Sequence, residues 1–194
     1  MSRALFVVLL LFALAPASAA DEAKPSTAIL LVARADLPDA NFSDSVVLVM
    51  NNLGPAPAGL ILNRPTRIAV AELFPDHERL ANSSDKVYFG GPVDVTTVSF
   101  LFRADAAPEH AIPVFEGVYV STDLELLRTL LDRDKPMEGL RIFIGYSGWT
   151  AGQLEGEVAH GDWKLAPADA GAIFEHKSEH PWPSTPGSAA GQSI

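Results

Sequence analysis

Short apolar runs separated by turn residues set the rhythm of the chain. Ala28–Ala33 and Ser45–Met50 are continuous, rich in β-branched residues and too short for helices, so both predict buried strands. Gly54-Pro-Ala-Pro57 reads as a loop, and Gly59–Leu62 as a third strand. Val70–Phe74 predicts one or two helical turns closed by Pro75. Val87–Phe89, ended by Gly90-Gly91-Pro92, and Val98–Phe102 predict two more strands, and Val118–Val120 a brief one. A helix should follow, with Thr122 and Glu125 as a capping box and Leu124, Leu127 and Leu131 on its buried face. Pro136 and Gly139 end it. Arg141–Tyr146 predicts the last strong strand, followed by helices at about 151–160 and 167–175. Strands outnumber helices without strict alternation, which implies an α+β class and excludes a doubly wound sheet.

The two ends behave differently. Arg3, the twelve-residue apolar run Ala4–Ala15, the break at Pro16 and Ala17-Ser18-Ala19 fit a signal peptide over residues 1–20. Twelve apolar residues fall short of the about 20 that a membrane-spanning helix needs. The expected mature chain therefore has no transmembrane segment and lies in the periplasm or outside the cell. Residues 21–177 are read as one domain, and the Pro-, Ser- and Gly-rich residues 178–194 as a disordered tail.

Charge and composition narrow the chemistry. The 194 residues carry 14 Lys and Arg against 24 Asp and Glu, a net charge of −10, which loss of Arg3 would take to −11. Phosphate backbones need a basic face, so nucleic acid is not an expected partner. The absence of cysteine excludes thiol nucleophiles, Cys-ligated zinc and iron–sulfur clusters. His176 and His180 have i,i+4 metal spacing but lie beside Pro181 at the start of the tail, so no metal and no cofactor is expected. Asn41-Phe-Ser and Asn82-Ser-Ser match the glycosylation sequon, a frequent chance pattern.

The densest motif is Gly145-Tyr-Ser-Gly-Trp-Thr-Ala-Gly-Gln-Leu-Glu-Gly-Glu157. As a site it would gather Tyr146, Trp149, Gln153, Glu155 and Glu157 at a strand-to-helix turn. As architecture, Thr150 and Gln153 make a capping box, Trp149 and Leu154 a hydrophobic staple, and the acids favour the helix N-terminus. Architecture carries more weight; Glu157 lies beyond the capping positions, and its loss should be nearly neutral if it is simply solvated, whereas a gain in stability would mark a buried, strained carboxylate. Ser147 sits where a nucleophile elbow would place it, but Trp149 replaces the final glycine of that pattern. Asn63-Arg64-Pro65 ends the third strand; Asn63 could bond a ligand, and Arg64 could fork an anion or pair with Glu155 or Glu157. Gly90-Gly91 lacks the Lys-Ser/Thr of a phosphate loop and marks a turn or a close backbone approach.

Gly59-x-x-x-Asn63-Arg64-Pro65, Tyr88-x-Gly90-Gly91-Pro92 and the Gly145–Glu157 motif with Trp163 downstream occur in an order that resembles the YqgE/AlgH family. The resemblance covers about residues 28–174. It implies a compact α+β domain whose bifurcated sheet folds into a pseudo-barrel with flanking helices. It also carries a label of transcriptional regulation, which export would undercut because an extracytoplasmic protein cannot meet a promoter. Members of the family are typically cytoplasmic, and the signal peptide read here departs from them. The chain departs from the pattern at the Pro-rich Gly54–Pro57 loop and at Ser147, where alanine is common. The expected role is a non-catalytic binding or regulatory domain of the bacterial envelope for a protein or small-molecule ligand. The candidate surface comprises Asn63, Arg64, Gly90, Gly91, Tyr146, Trp149, Gln153, Glu155 and Glu157. The alternative is a hydrolase using Glu155 or Glu157 as its acid–base group.

Overall fold

The computed structural model describes residues 28–50 and 53–175; residues 1–20, read above as a signal peptide, residues 178–194, read as a tail, and the His176–His180 pair lie outside them. Within that range the chain is an α+β fold. Ten strands run β1 (Ile29–Ala33), β2 (Val46–Met50), β3 (Ala58–Ile61), β4 (Pro65–Ala69), β5 (Lys86–Phe89), β6 (Val93–Arg103), β7 (Ile112–Phe115), β8 (Val118–Ser121), β9 (Leu140–Gly148) and β10 (Trp163–Pro167). The helices are α1 (Val70–Leu73), α2 (Leu124–Leu131), α3 (Gln153–His160) and α4 (Ala170–Phe174).

The strands form a curled, mostly antiparallel half-barrel in the order β10-β1-β2-β3-β9-β6-β8-β7. The sheet bifurcates at β9. One edge of β9 pairs with β6, while the other is shared between β3, antiparallel at Ser147 and Gly148, and β5, parallel at Phe143 and Ile144. β4 pairs only with β5. Gly90 and Gly91 sit at the fork, where a Cβ on either would collide with the backbone of Gly145 or Tyr146. Glycine here serves close backbone packing, one of the two roles its sequence context implied. The Gly90 carbonyl accepts from Ile61 N (2.9 Å) and from the Ser147 hydroxyl (3.1 Å). Ser147 is fully buried, so the elbow position holds a structural hydroxyl.

Three apolar layers explain why so many strands read as continuous apolar runs. In β2, Val46, Leu48 and Met50 face the concave core with Leu60, Leu101 and Val120, while Val47 and Val49 face a second side with Trp149 and Trp163. A strand covered on both faces has no polar alternation to show. The third layer lies under α2, where Phe100, Phe102 and Ile142 meet Leu127, Leu130 and Leu131.

Several local expectations are corrected. The N-cap of α2 is Asp123, whose side chain accepts from Leu126 N (2.8 Å); Glu125 pairs with Arg128 instead of completing a box with Thr122. Leu124 is 49% exposed, and Leu130 takes its place on the buried face. α3 starts at Gln153 behind Gly152 in a left-handed conformation (φ 80°), not at Ala151. The expected helix at 167–175 shrinks to Ala170–Phe174, because Trp163–Pro167 pairs with β1 as β10. β4 and β7 were absent from the predicted elements.

Candidate functional site

The motif residues separate into two sets of different character. The first is a tryptophan cluster. Trp149 ends the turn after β9, and Trp163 opens β10 after α3. Both are 5% exposed, and Phe42 sits with them, its ring 6.2 Å from Trp149 (stacked) and 5.7 Å from Trp163 (edge-on). Burying an indole demands an acceptor for its N–H. Glu157 supplies it twice: Oε2 accepts from Trp149 Nε1 at 2.9 Å and from Trp163 Nε1 at 2.8 Å. Oε1 of the same carboxylate accepts from Gln153 Nε2 at 2.9 Å. Glu157 is therefore no solvated surface acid but the polar pin that joins α3 to the sheet on both sides.

Gln153 completes the arrangement. Its Oε1 accepts from both the amide and the hydroxyl of Thr150, at 3.0 and 3.1 Å. This is the return half of the expected capping box. The forward half is missing, because the Thr150 hydroxyl is spent on Gln153 and the N-cap is Gly152. Leu154 packs on the tryptophan cluster, as a staple would place it. Glu155 points to solvent in the first turn of α3.

Asn63 and Arg64 lie beyond the far end of β3 and form a clamp. Asn63 Oδ1 accepts from Val46 N (3.0 Å), and its Nδ2 donates to the Asp44 carbonyl (2.8 Å). Arg64 donates to the carbonyls of Asn41 and Ser43, both at 2.6 Å. It holds the Asp39–Asp44 turns, and so Phe42, against the sheet; it pairs with neither Glu155 nor Glu157.

The second set lines a cleft of about 630 Å³ at the open end of the concave core. Met50, Leu60 and Val120 continue from that core into the cleft, and Pro55–Ala58 and Ile112 wall it. Tyr146, Trp149 and Gln153 of the candidate surface reach it; Asn63, Arg64, Gly90, Gly91, Glu155 and Glu157 do not line it. The side chain of Tyr146 is exposed, and its ring lies against Gly148. The lining surface is mostly apolar, and four of its polar residues decide its chemistry. Ser121 donates to the His110 carbonyl (2.6 Å) and accepts from Asp123 N (3.0 Å). His110 stands at positive φ (62°) beside it. Thr97 donates to Asp94 (2.6 Å), and this bond, with one from Thr96, holds the Asp94 carboxyl below the usual range. Ser99, also in the lining, has a buried Oγ without a partner. Ser99, Ser121 and His110 were missed by sequence reasoning. The one available signal was a serine inside the apolar run Val98–Phe102.

A family model described as AlgH-like matches residues 30–192. The chain belongs to the AlgH-like family. It is 37% identical over 155 residues to a UPF0301 protein of Chlorobium limicola, covering 79% of this chain and 81% of that one. It is 34% identical to a UPF0301 protein of Methylococcus capsulatus, covering 78% and 85%. The solution structure of AlgH from Pseudomonas aeruginosa superposes with a TM-score of 0.62 at 25% identity, over 82% of this chain and 85% of AlgH. A Corynebacterium diphtheriae crystal structure shares the fold at 23% identity and a TM-score of 0.60, over 80% and 83%. The half-barrel with its forked sheet is thus the AlgH-like fold, and it is the fold that the three sequence segments implied. Among the described residues, no His, Asp and Glu side chains gather as metal ligands, and no helix is long and apolar enough to cross a membrane.

Proposed function

We propose that this AlgH-like chain is a non-catalytic ligand-binding domain of the bacterial envelope. The observation that carries the reading is the apolar cleft at the open end of the concave core. Ligand sites are concave, mostly apolar clefts of roughly 300–1,000 Å³ with a few polar groups, and this one has that size and lining. The hydrolase alternative draws no support from its two glutamates. Glu157 has both oxygens engaged by three donors, and Glu155 is an exposed acid outside the cleft. The envelope assignment rests on Arg3, the Ala4–Ala15 run and Ala17-Ser18-Ala19. A regulator acting at a promoter would be neither exported nor strongly acidic.

One preparation tests both halves. Protein from a periplasmic extract should begin at Ala20 or Asp21. Titrated with the neutral dye Nile red, it should give a blue-shifted, saturable emission. Ala58→Trp, which projects an indole into the cleft wall, should melt cooperatively and lose that signal. Full-length protein confined to the cytosol refutes the envelope assignment; dye binding that survives Ala58→Trp, or never occurs, refutes the cleft.

A further inference from the structure

What the cleft takes is set by its floor, and an inference about that ligand rests on the binding role proposed above. In β6 the side chains alternate: Phe100 and Phe102 pack under α2, while Leu101 faces the concave core. Ser99, two positions from Leu101, lies on the concave side with Met50, Leu60 and Val120. It is only 9% exposed, and its Oγ has no hydrogen-bond partner.

That state is costly for a serine with only a structural duty. Alanine would fill the same place without a stranded hydroxyl. The nearby hydroxyls show the contrast, because Ser121 is bonded twice and Thr97 is bonded to Asp94. Two other buried polar atoms among the described residues lack a hydrogen bond, Arg34 Nε and His77 Nδ1, and neither residue lines the cleft. Among the described residues the lining holds no Asp, Glu, Lys or Arg, and its one histidine, His110, faces Glu109 at 3.9 Å. An anion entering it would lose hydration without meeting a cation, and a cation would meet no carboxylate.

We infer that the cleft binds a neutral, largely apolar small molecule whose one hydrogen-bonding group, a hydroxyl, carbonyl or amide, docks on Ser99 Oγ. Three matched probes test it: naphthalene, 2-naphthol and 2-naphthoate, titrated into ¹⁵N-labelled native protein and Ser99→Ala, with affinities read from cleft amide shifts. The native protein should bind 2-naphthol about tenfold more tightly than naphthalene, the worth of one buried hydrogen bond, and 2-naphthoate most weakly. Ser99→Ala should keep its spectrum and its naphthalene affinity but lose the preference for 2-naphthol. Tightest binding of 2-naphthoate overturns the inference about the ligand, as does an equal affinity for naphthalene and 2-naphthol in the native protein; either result leaves the binding role standing. Silence of the cleft amides with all three probes overturns the binding role as well. Shifts that fade as protein concentration rises, with a doubled sedimenting mass, assign the cleft to a second copy and overturn both.

Discussion

The tryptophan cluster and the cleft share Trp149 and Gln153, yet they treat polar groups in opposite ways. In the cluster, two indole N–H groups and one amide converge on a single carboxylate, and each has a partner within 2.9 Å. At the cleft floor one hydroxyl has none. The cluster and the cleft wall divide the densest motif in the chain between them, while the unpaired hydroxyl of the floor lies outside it. A dense motif can therefore record the assembly of a fold, here the seating of α3 across β9 and β10. The one hydroxyl left open at the floor belongs instead to an ordinary strand residue, Ser99.

Glu157→Ala should produce the largest effect that separates the two regions. It strands two largely buried indole donors and should cost about 2–4 kcal/mol, read as a lower midpoint in urea melts. Glu157→Gln keeps one acceptor oxygen and should cost less. A near-neutral Glu157→Ala would erase the contrast, since the cluster would then be as indifferent to its polar group as a solvated surface.

Ser99→Ala should act in the opposite direction. Removing a hydroxyl with no partner should leave stability unchanged or raise it by about 1 kcal/mol, the pattern of a site that trades stability for binding. A loss of stability comparable with that of Glu157→Ala would show that the floor serves packing, and the difference between the regions would vanish.

Thr150→Ala should show the smallest effect. A true N-cap threonine is worth about 0.5–2 kcal/mol, but here the cap is Gly152 and Gln153 still accepts from the Thr150 backbone amide. The change should stay within about 0.5 kcal/mol in the same melts.

Legibility in the sequence followed burial. β1, β2 and β9 stood out because both of their faces are covered, which turns a strand into an unbroken apolar run. β4, β7 and β10 did not, since each contains a proline (Pro65, Pro113 and Pro167) and exposed positions, the marks of turns and edges. The three motif segments together reached the family and the forked half-barrel. They did not reach the roles of their own residues. Arg64 bonds loop carbonyls, and Glu157 bonds a tryptophan 8 residues before it and another 6 after it. Such partners are chosen by tertiary packing and leave no local trace. The cleft was hidden for the same reason, because its lining is gathered from the β2–β3 loop, β6, β8 and the turn after β9.

The forked strand also has a consequence for the order of events on the ribosome. β9 touches β3, β5 and β6, so nothing before Leu140 can join those three strands into one sheet. β1 waits longer still for its outer neighbour, since β10 begins at Trp163. Contacts of such long sequence separation form slowly. A nascent chain with this topology leaves its fork unclosed until the last third has emerged, so the apolar faces of β3, β5 and β6 wait uncovered for the strand that joins them.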